Sequence, residues 1–76
     1  MTSSSELLDF YVKTGHLSLE EDFQAKTPGS RTYKLTAKLK RSIEVEFHST
    51  DEVEKIRNSA KAVLMTILLK LPEFPL

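Results

Sequence analysis

Residues 49–71 read STDEVEKIRNSAKAVLMTILLKL, and this stretch decides the fold. Its apolar residues recur at helical spacings of 3, 4, 3, 4 and 4, and they are Val53, Ile56, Ala60, Val63, Ile67 and Leu71. This spacing is typical of a helix with one face on a core. Ser49 and Glu52 form a capping box at its start, and Pro72 ends it. Three acids lie in the first turn, where the helix dipole favours negative charge: Asp51, Glu52 and Glu54.

A shorter helix opens the chain. Ser3 and Glu6 have the N-cap and N3 spacing of another capping box. The apolar residues that follow at helical spacing are Leu7, Leu8, Tyr11 and Val12. Gly15 stands at the position where a glycine commonly ends a helix. The sequence therefore predicts a helix over roughly residues 4–14.

Residues 17–26 alternate as a half-buried strand does, with Leu17, Leu19, Phe23 and Ala25 on one parity. Glu21 interrupts this apolar set. A short helix over residues 19–25 is the alternative, but it would have to fit between Gly15 and the turn at Pro28-Gly29. Proline and glycine suit positions i+1 and i+2 of a type II turn. We therefore expect a strand followed by a tight turn.

Two further strands alternate clearly. Their apolar faces are Tyr33, Leu35, Ala37 and Leu39 in one, and Ile43, Val45 and Phe47 in the other. A slip of one residue moves every side chain to the other face, so apolar residues pair only when their numbers sum to an even value. For the second hairpin we predict a sum of 82. This pairs Leu39 with Ile43, Ala37 with Val45 and Leu35 with Phe47, around a Lys40-Arg41-Ser42 loop, with Lys38 facing Glu44 and Lys34 facing His48. For the first hairpin we predict a sum of 58, which pairs Phe23 with Leu35 and Ala25 with Tyr33.

The element order predicts an α+β fold: an α-β-β-β-α two-layer sandwich, in which both helices cover one face of a three-stranded antiparallel sheet. A chain of 76 residues builds one domain with one core. We expect residues 1–76 to be that domain, with its core over about 4–71 and a tail at 72–76. In the tail, Phe74 and Leu76 either pack on the last helix or mark the cut end of a longer protein.

Composition excludes several classes of function. The chain has no cysteine, which excludes disulfides and cysteine-based chemistry and favours an intracellular, cytoplasmic or nuclear protein. Eleven basic and eleven acidic residues give a net charge of zero, whereas nucleic-acid binders are usually basic because phosphate contacts supply most of their affinity. No signal peptide is visible. The longest apolar stretch, residues 62–69, is far short of the roughly 20 residues of a membrane span.

With these elements in place, the chain resembles the double-stranded-RNA-binding domain (dsRBD) family from about residue 4 to residue 71. Residues 5–15, SELLDFYVKTG, look like the family's first helix, a leucine pair followed by Lys-x-Gly. Residues 27–33, TPGSRTY, are similar to its first hairpin loop, usually Gly-Pro-x-His before an aromatic-led strand. The last helix matches in its apolar spacing. The resemblance implies the same α-β-β-β-α fold.

The family binds duplex RNA through its first helix, its first hairpin loop and the N-terminus of its last helix. At the last helix it carries Ser-Lys-Lys-x-Ala-Lys. Here Thr50 and Asp51 stand for the lysine pair and Glu54 stands for the third lysine, so one neutral residue and two anions replace three cations that grip phosphate. Weak, shape-based binding of double-stranded RNA is therefore the alternative function. Its candidate residues are Ser30, Arg31, Thr50 and Lys55.

Protein association is the function that we expect. The chain resembles third domains of the Dicer-partner type, and the resemblance implies that the third strand and last helix serve dimerisation or docking. That strand is an edge to which another chain can add a strand. We expect a non-enzymatic module, a homodimer or docking unit of an RNA-processing or RNA-silencing complex, with partner-binding residues Glu46, Met65, Leu68 and Leu69. The alternative is that Leu64 and Leu68 pack on the first helix, which leaves only Met65 and Leu69 outside.

No pattern indicates catalysis, a metal or a cofactor. His16 and His48 are the only histidines, whereas zinc needs three or four ligands. There is no serine–histidine–acid set and no glycine-rich phosphate loop. A basic row of Lys34, Lys38 and Lys40 lies on the outer sheet face, but Glu44 and Glu46 neutralise it. No aromatic residue interleaves the row, as stacking on bases would require.

Overall fold

Two helices and three strands follow one another in the predicted order. A computed structural model describes residues 3–27 and 29–74. Its elements are α1 (Ser4–Lys13), β1 (Ser18–Thr27), β2 (Ser30–Lys38), β3 (Ser42–Ser49) and α2 (Val53–Leu68). The strands form one antiparallel sheet in the order β1-β2-β3. The predicted α+β fold with α-β-β-β-α order is confirmed.

A single core joins both helices to one face of the sheet. Its fully buried members include Leu8 of α1, Tyr33, Leu35 and Ala37 of β2, and Ala60, Leu64, Met65 and Leu68 of α2. Phe74 belongs to the same cluster, and its ring centroid lies 4.7 Å from that of Tyr11. The tail therefore packs back on the domain at Phe74, whereas Leu76 lies outside the described residues.

The ends of α1 follow the sequence signals. Ser3 Oγ accepts a hydrogen bond from the backbone N–H of Glu6 at 3.1 Å. After the helix, Gly15 has a φ of +80°, which only glycine adopts without strain. The N–H of His16 then reaches back to the carbonyl of Tyr11 at 3.0 Å, as in a Schellman motif. Both ends of the predicted helix are thus confirmed to within one residue.

The start of α2 differs from the prediction. Ser49 is the last residue of β3 and pairs with Arg31, and it lies three residues before the observed N-cap of α2, too far away to cap the helix. Its hydroxyl accepts from the N–H of Asp51 at 3.0 Å instead. Glu52 is the N-cap and makes no capping bond with its side chain. The predicted capping box of Ser49 and Glu52 is therefore wrong.

The buried face of α2 is also rotated from the predicted stripe. Its central line runs at intervals of four through Ile56, Ala60, Leu64 and Leu68, whereas Val63 is 42% exposed. The sequence allows both lines because α2 is apolar over much of its circumference beyond its first turns. The helix ends at Leu68 rather than Leu71, and the next residues continue as tight turns.

The strand registers keep the predicted parity but are shifted by two residues. In the second hairpin Leu35 pairs with Val45 and Ala37 with Ile43, a sum of 80 rather than 82. In the first, Phe23 pairs with Tyr33, a sum of 56 rather than 58. A two-residue shift keeps each side chain on its face, so periodicity alone could not fix the register.

The two hairpin loops account for the shift. The second loop is residues 39–41, closed by a hydrogen bond from the N–H of Leu39 to the carbonyl of Arg41 at 3.0 Å, rather than Lys40-Arg41-Ser42. In the first hairpin an irregularity between Gln24 and Thr27 changes the sum of the paired numbers near the turn. Gly29 has a φ of +74°, as position i+2 of a type II turn needs, and Pro28 lies outside the described residues.

Candidate functional site

The third strand forms an open edge of the sheet, as predicted. All eight residues of β3 pair with β2 in one unbroken register, from Ser42 opposite Lys38 to Ser49 opposite Arg31. No strand of residues 3–27 and 29–74 lies on its other side. The backbone groups that point away from β2 are therefore able to pair with another chain.

The other edge strand, β1, carries two features that discourage such pairing. Its ladder is broken between Gln24 and Thr27, and Glu21 projects a charge toward the helices, where it meets Arg57 of α2. Bulges and inward-pointing charges are known devices for blunting sheet edges. On its helix-facing side β3 carries three apolar residues, Ile43, Val45 and Phe47, and only Ser49 at its end is polar. Of the two edges, β3 is thus the one suited to accept a strand.

Two residues that the sequence placed on a partner surface belong to the core. Met65 and Leu68 are both fully buried, so the prediction that they bind a partner from an exposed surface is wrong. Leu68 continues the buried line of α2. Met65 lies one turn after Lys61, whose Nζ is 3.0 Å from Asp9 of α1, and so it faces the first helix. The buried positions of Leu64 and Leu68 agree with the alternative interpretation. Of the two residues that this alternative left outside, Leu69 is exposed and Met65 is not.

Val63, not Leu69, is the exposed apolar residue on the β3 side of α2. Lys61 faces α1, and Val63 lies about 160° around the helix from Lys61, at roughly 100° per residue. It therefore points away from α1, toward the flank where α2 packs on β3. Leu69 is 53% exposed but lies about 120° from Val63 around the helix. The two side chains do not form one patch, and sequence reasoning missed Val63 because it assigned that residue to the core.

Glu46 lies on the outer face of β3, exposed as predicted. Its carboxylate is 3.6 Å from Lys34 Nζ and 2.7 Å from Nε2 of His48. Lys38 pairs instead with Glu20 of β1 at 2.8 Å. The basic row is therefore partly neutralised across the sheet, although the predicted pairs of Lys38 with Glu44 and Lys34 with His48 do not form.

The four alternative RNA-binding residues lie near the start of α2. Arg31 donates to the backbone carbonyls of Thr50, at 3.2 Å, and of Asp51. These bonds bring the end of the first hairpin, including Ser30, beside the segment that leads into α2. Lys55 is exposed on the helix itself. Arg31 thus holds the β3–α2 connection through Nη1, which donates to both backbone carbonyls.

A polar cluster that sequence reasoning did not assemble joins β1, β2 and α2. The Tyr33 hydroxyl donates to Oε1 of Glu21, the same oxygen accepts from Nε of Arg57 at 2.7 Å, and Arg57 also donates to Glu54. Burial by itself would raise the pKa of Glu21. The hydrogen bonds from Tyr33 and Arg57, with the charge of Arg57, outweigh burial and hold that pKa below its usual value. Burial and the adjacent Glu21 raise the pKa of Tyr33. The signal in the sequence was the single acid that interrupts the apolar parity of β1.

Metal binding and membrane insertion find no support among the described residues. Within residues 3–27 and 29–74, no three His, Asp or Glu side chains are grouped closely enough to hold a metal ion. Neither α1 nor α2 has the length and apolar character needed to cross a bilayer. No protein-family model matches the chain, and no curated protein matches its sequence. The function is therefore inferred from the geometry of these surfaces.

Proposed function

We propose that this chain is a dsRBD-like association module that forms a homodimer through the outer edge of β3. The observation that carries the proposal is the difference between the two sheet edges. The register of β1 is broken and the strand carries an inward-pointing acid, whereas β3 is regular over its whole length with an apolar helix-facing side. A long, regular, unpaired edge favours strand addition.

A second copy of the chain suits this edge. In an antiparallel two-fold dimer, β3 of one copy pairs with β3 of the other. The apolar faces of both sheets lie on the same side when the residue numbers of each pair sum to an even value. An axis at Phe47 sets Phe47 opposite its own copy and Glu46 opposite His48 in both directions, which favours the contact. An axis at Val45 would set Glu44 opposite Glu46, and like charges across strands oppose pairing.

Val63 supplies the apolar part of the same surface. It is 42% exposed on the flank of α2 next to β3, where Ile67 and Phe47 are only partly buried. Apolar area beside a strand edge adds burial to the backbone hydrogen bonds that strand addition provides. The dimer surface is therefore the β3 edge with Glu46, His48 and Val63, and it excludes Met65 and Leu68.

The biological setting comes from the resemblance alone. By that resemblance the module works without catalysis in an RNA-processing or RNA-silencing complex of the cytoplasm or nucleus, and needs no cofactor. Weak binding of double-stranded RNA is the second candidate. It is favoured by the placement of Arg31 against Thr50, and opposed by the acids Asp51, Glu52 and Glu54 around the same helix start.

Sedimentation velocity at tens of micromolar protein tests the dimer. We expect the unmodified chain to sediment as a dimer and Val63→Glu to sediment as a monomer, because the new charge would be buried beside the β3 edge. Leu69→Glu is the matched control, since it introduces the same charge at another exposed apolar residue, on a different side of α2. It should leave the dimer intact. A strictly monomeric unmodified chain, or equal loss of dimer in both variants, would contradict the proposal.

A further inference from the structure

A shallow cleft lies at the end of the sheet opposite the start of α2. The loop from α1 to β1 and the loop from β2 to β3 meet there, because Lys38 pairs with Ser18 on one side and with Ser42 on the other. The cleft has a volume of about 460 Å³. We call it the basic cleft, and its side walls are formed chiefly by His16, Leu17, Lys38, Leu39 and Lys40.

The basic cleft combines an apolar floor with a cationic rim. Leu17 is only 6% exposed, and Leu39 packs partly against the core. At the rim, Lys38 is 2.8 Å from Glu20, but no ion pair among residues 3–27 and 29–74 includes Lys40. The hydrogen bond within residues 39–41 holds this loop in a closed turn. The rim therefore offers a positive charge that the domain itself does not neutralise.

The charges of the neutral chain are distributed unevenly between its two ends. Lys13 is the last residue of α1, and Lys70 follows the end of α2. Both lysines lie at the same end of the domain as the basic cleft. Asp51, Glu52 and Glu54 lie at the other end, at the start of α2. An anionic ligand would thus be attracted toward the cleft rather than toward the start of α2, where Arg31, Lys55 and Arg57 balance the three acids.

We propose that the basic cleft binds an extended acidic peptide segment of another protein, with one aliphatic side chain between its carboxylates. The aliphatic group would cover Leu17 and Leu39, and the carboxylates would face Lys40 and Lys38. A phosphate backbone would use only the cations and leave the apolar floor uncovered, so a peptide fits both features of the cleft. This site uses neither Val63 nor Glu46 and is independent of the proposed dimer.

An NMR titration of the isotope-labelled chain with acetyl-Glu-Glu-Leu-Glu-Glu-amide tests the site. We expect amide shifts concentrated at residues 15–18 and 38–40. Lys40→Glu should weaken binding by about threefold or more. Lys55→Glu has the same effect on net charge at the opposite end, and it should leave the affinity unchanged. Replacing the peptide leucine by serine should also weaken binding.

Three results would overturn the proposal. One is equal loss of affinity in both lysine variants, which would indicate a general charge effect. Another is a serine peptide that binds as well as the leucine peptide. The last is stronger perturbation of the same amides by a duplex RNA of about 16 base pairs, which would assign the cleft to phosphate. Each result can be read whether the chain is a monomer or a dimer.

Discussion

Arg57 of α2 donates from Nε to Oε1 of Glu21 on β1 over 2.7 Å. The helix packs mainly on β2 and β3. Among the described side-chain hydrogen bonds, this is the one that connects α2 to β1. The same oxygen of Glu21 accepts the hydroxyl of Tyr33, whose side chain is otherwise part of the core. The carboxylate of Glu21 therefore accepts the hydrogen bond of the buried Tyr33 hydroxyl and also holds the guanidinium of Arg57 on α2.

Removal of this carboxylate should destabilise the domain. Glu21→Ala leaves the Tyr33 hydroxyl without its acceptor, and an unsatisfied, largely buried donor costs about 1–2 kcal/mol. Glu20→Ala is the matched control on the neighbouring residue, because its partner Lys38 lies on the exposed sheet face. An exposed pair contributes about 0.5 kcal/mol or less. Urea unfolding of both variants measures the difference, and equal losses would show that Glu21 has no special structural role.

The same carboxylate should make stability depend on pH in the acid range. The pKa of Glu21 is lower in the folded chain than its usual value of 4.5. A depressed pKa contributes stability that is present above the unfolded value and is lost as pH falls through the folded value. Glu21→Gln cannot titrate at this position. The unmodified chain should therefore be more stable than this variant at pH 6, and the difference in the free energy of unfolding should shrink as the pH falls to 3. A difference that stays constant over this range would contradict the assignment.

Most of the fold could be predicted from the sequence because each element carries a local signal. The serine cap, the glycine exit of α1 and the alternation of β2 and β3 each depend on neighbouring residues, and the structure agrees with them. Register was less accessible. A shift of two residues leaves every apolar side chain on its face, so it was decided by the hydrogen bond that closes residues 39–41 and by the irregularity after Gln24.

The candidate site was less predictable because it depends on how α2 is rotated. A helix that is apolar over much of its circumference allows several buried lines, and sequence periodicity does not choose among them. The choice depends on long-range contacts such as Lys61 with Asp9 and Arg57 with Glu21. These pairs accompany the rotation that buries Met65 and Leu68 and leaves Val63 exposed. Glu46 and Leu69 were placed correctly on the outside, as the parity of β3 and the position of Leu69 near the helix end allowed.

The rotation of α2 predicts different costs for two adjacent leucines. Leu68→Ala removes a fully buried side chain and should cost about 2–5 kcal/mol, a large fraction of the stability of a small domain. Leu69→Ala alters a side chain that is 53% exposed and should change stability by about 0.5 kcal/mol or less. Thermal unfolding of the two variants compares them directly. Similar losses would mean that the helix is rotated differently.

Gly15 should be required for its backbone rather than for space. Its φ is +80°, and nothing lies within 4 Å of where a Cβ would be. Gly15→Ala should therefore cost about 1 kcal/mol through the left-handed backbone alone. Gly15→Asn should cost less, because asparagine tolerates this conformation at helix ends. Chemical denaturation provides the comparison, and a greater loss for asparagine would point to a steric conflict instead.

The acids at the start of α2 should limit any binding of duplex RNA. Asp51→Lys with Glu54→Lys places two cations where anions now lie, beside Arg31 and Thr50. We expect this double variant to bind a duplex of about 16 base pairs more tightly than the unmodified chain at low salt. Each new phosphate contact should make the salt dependence steeper by about 0.9, measured by fluorescence anisotropy. Asp22→Lys with Glu44→Lys makes the same charge change on the outer sheet face and should gain much less. Tight, strongly salt-dependent binding by the unmodified chain would instead favour RNA recognition over protein association.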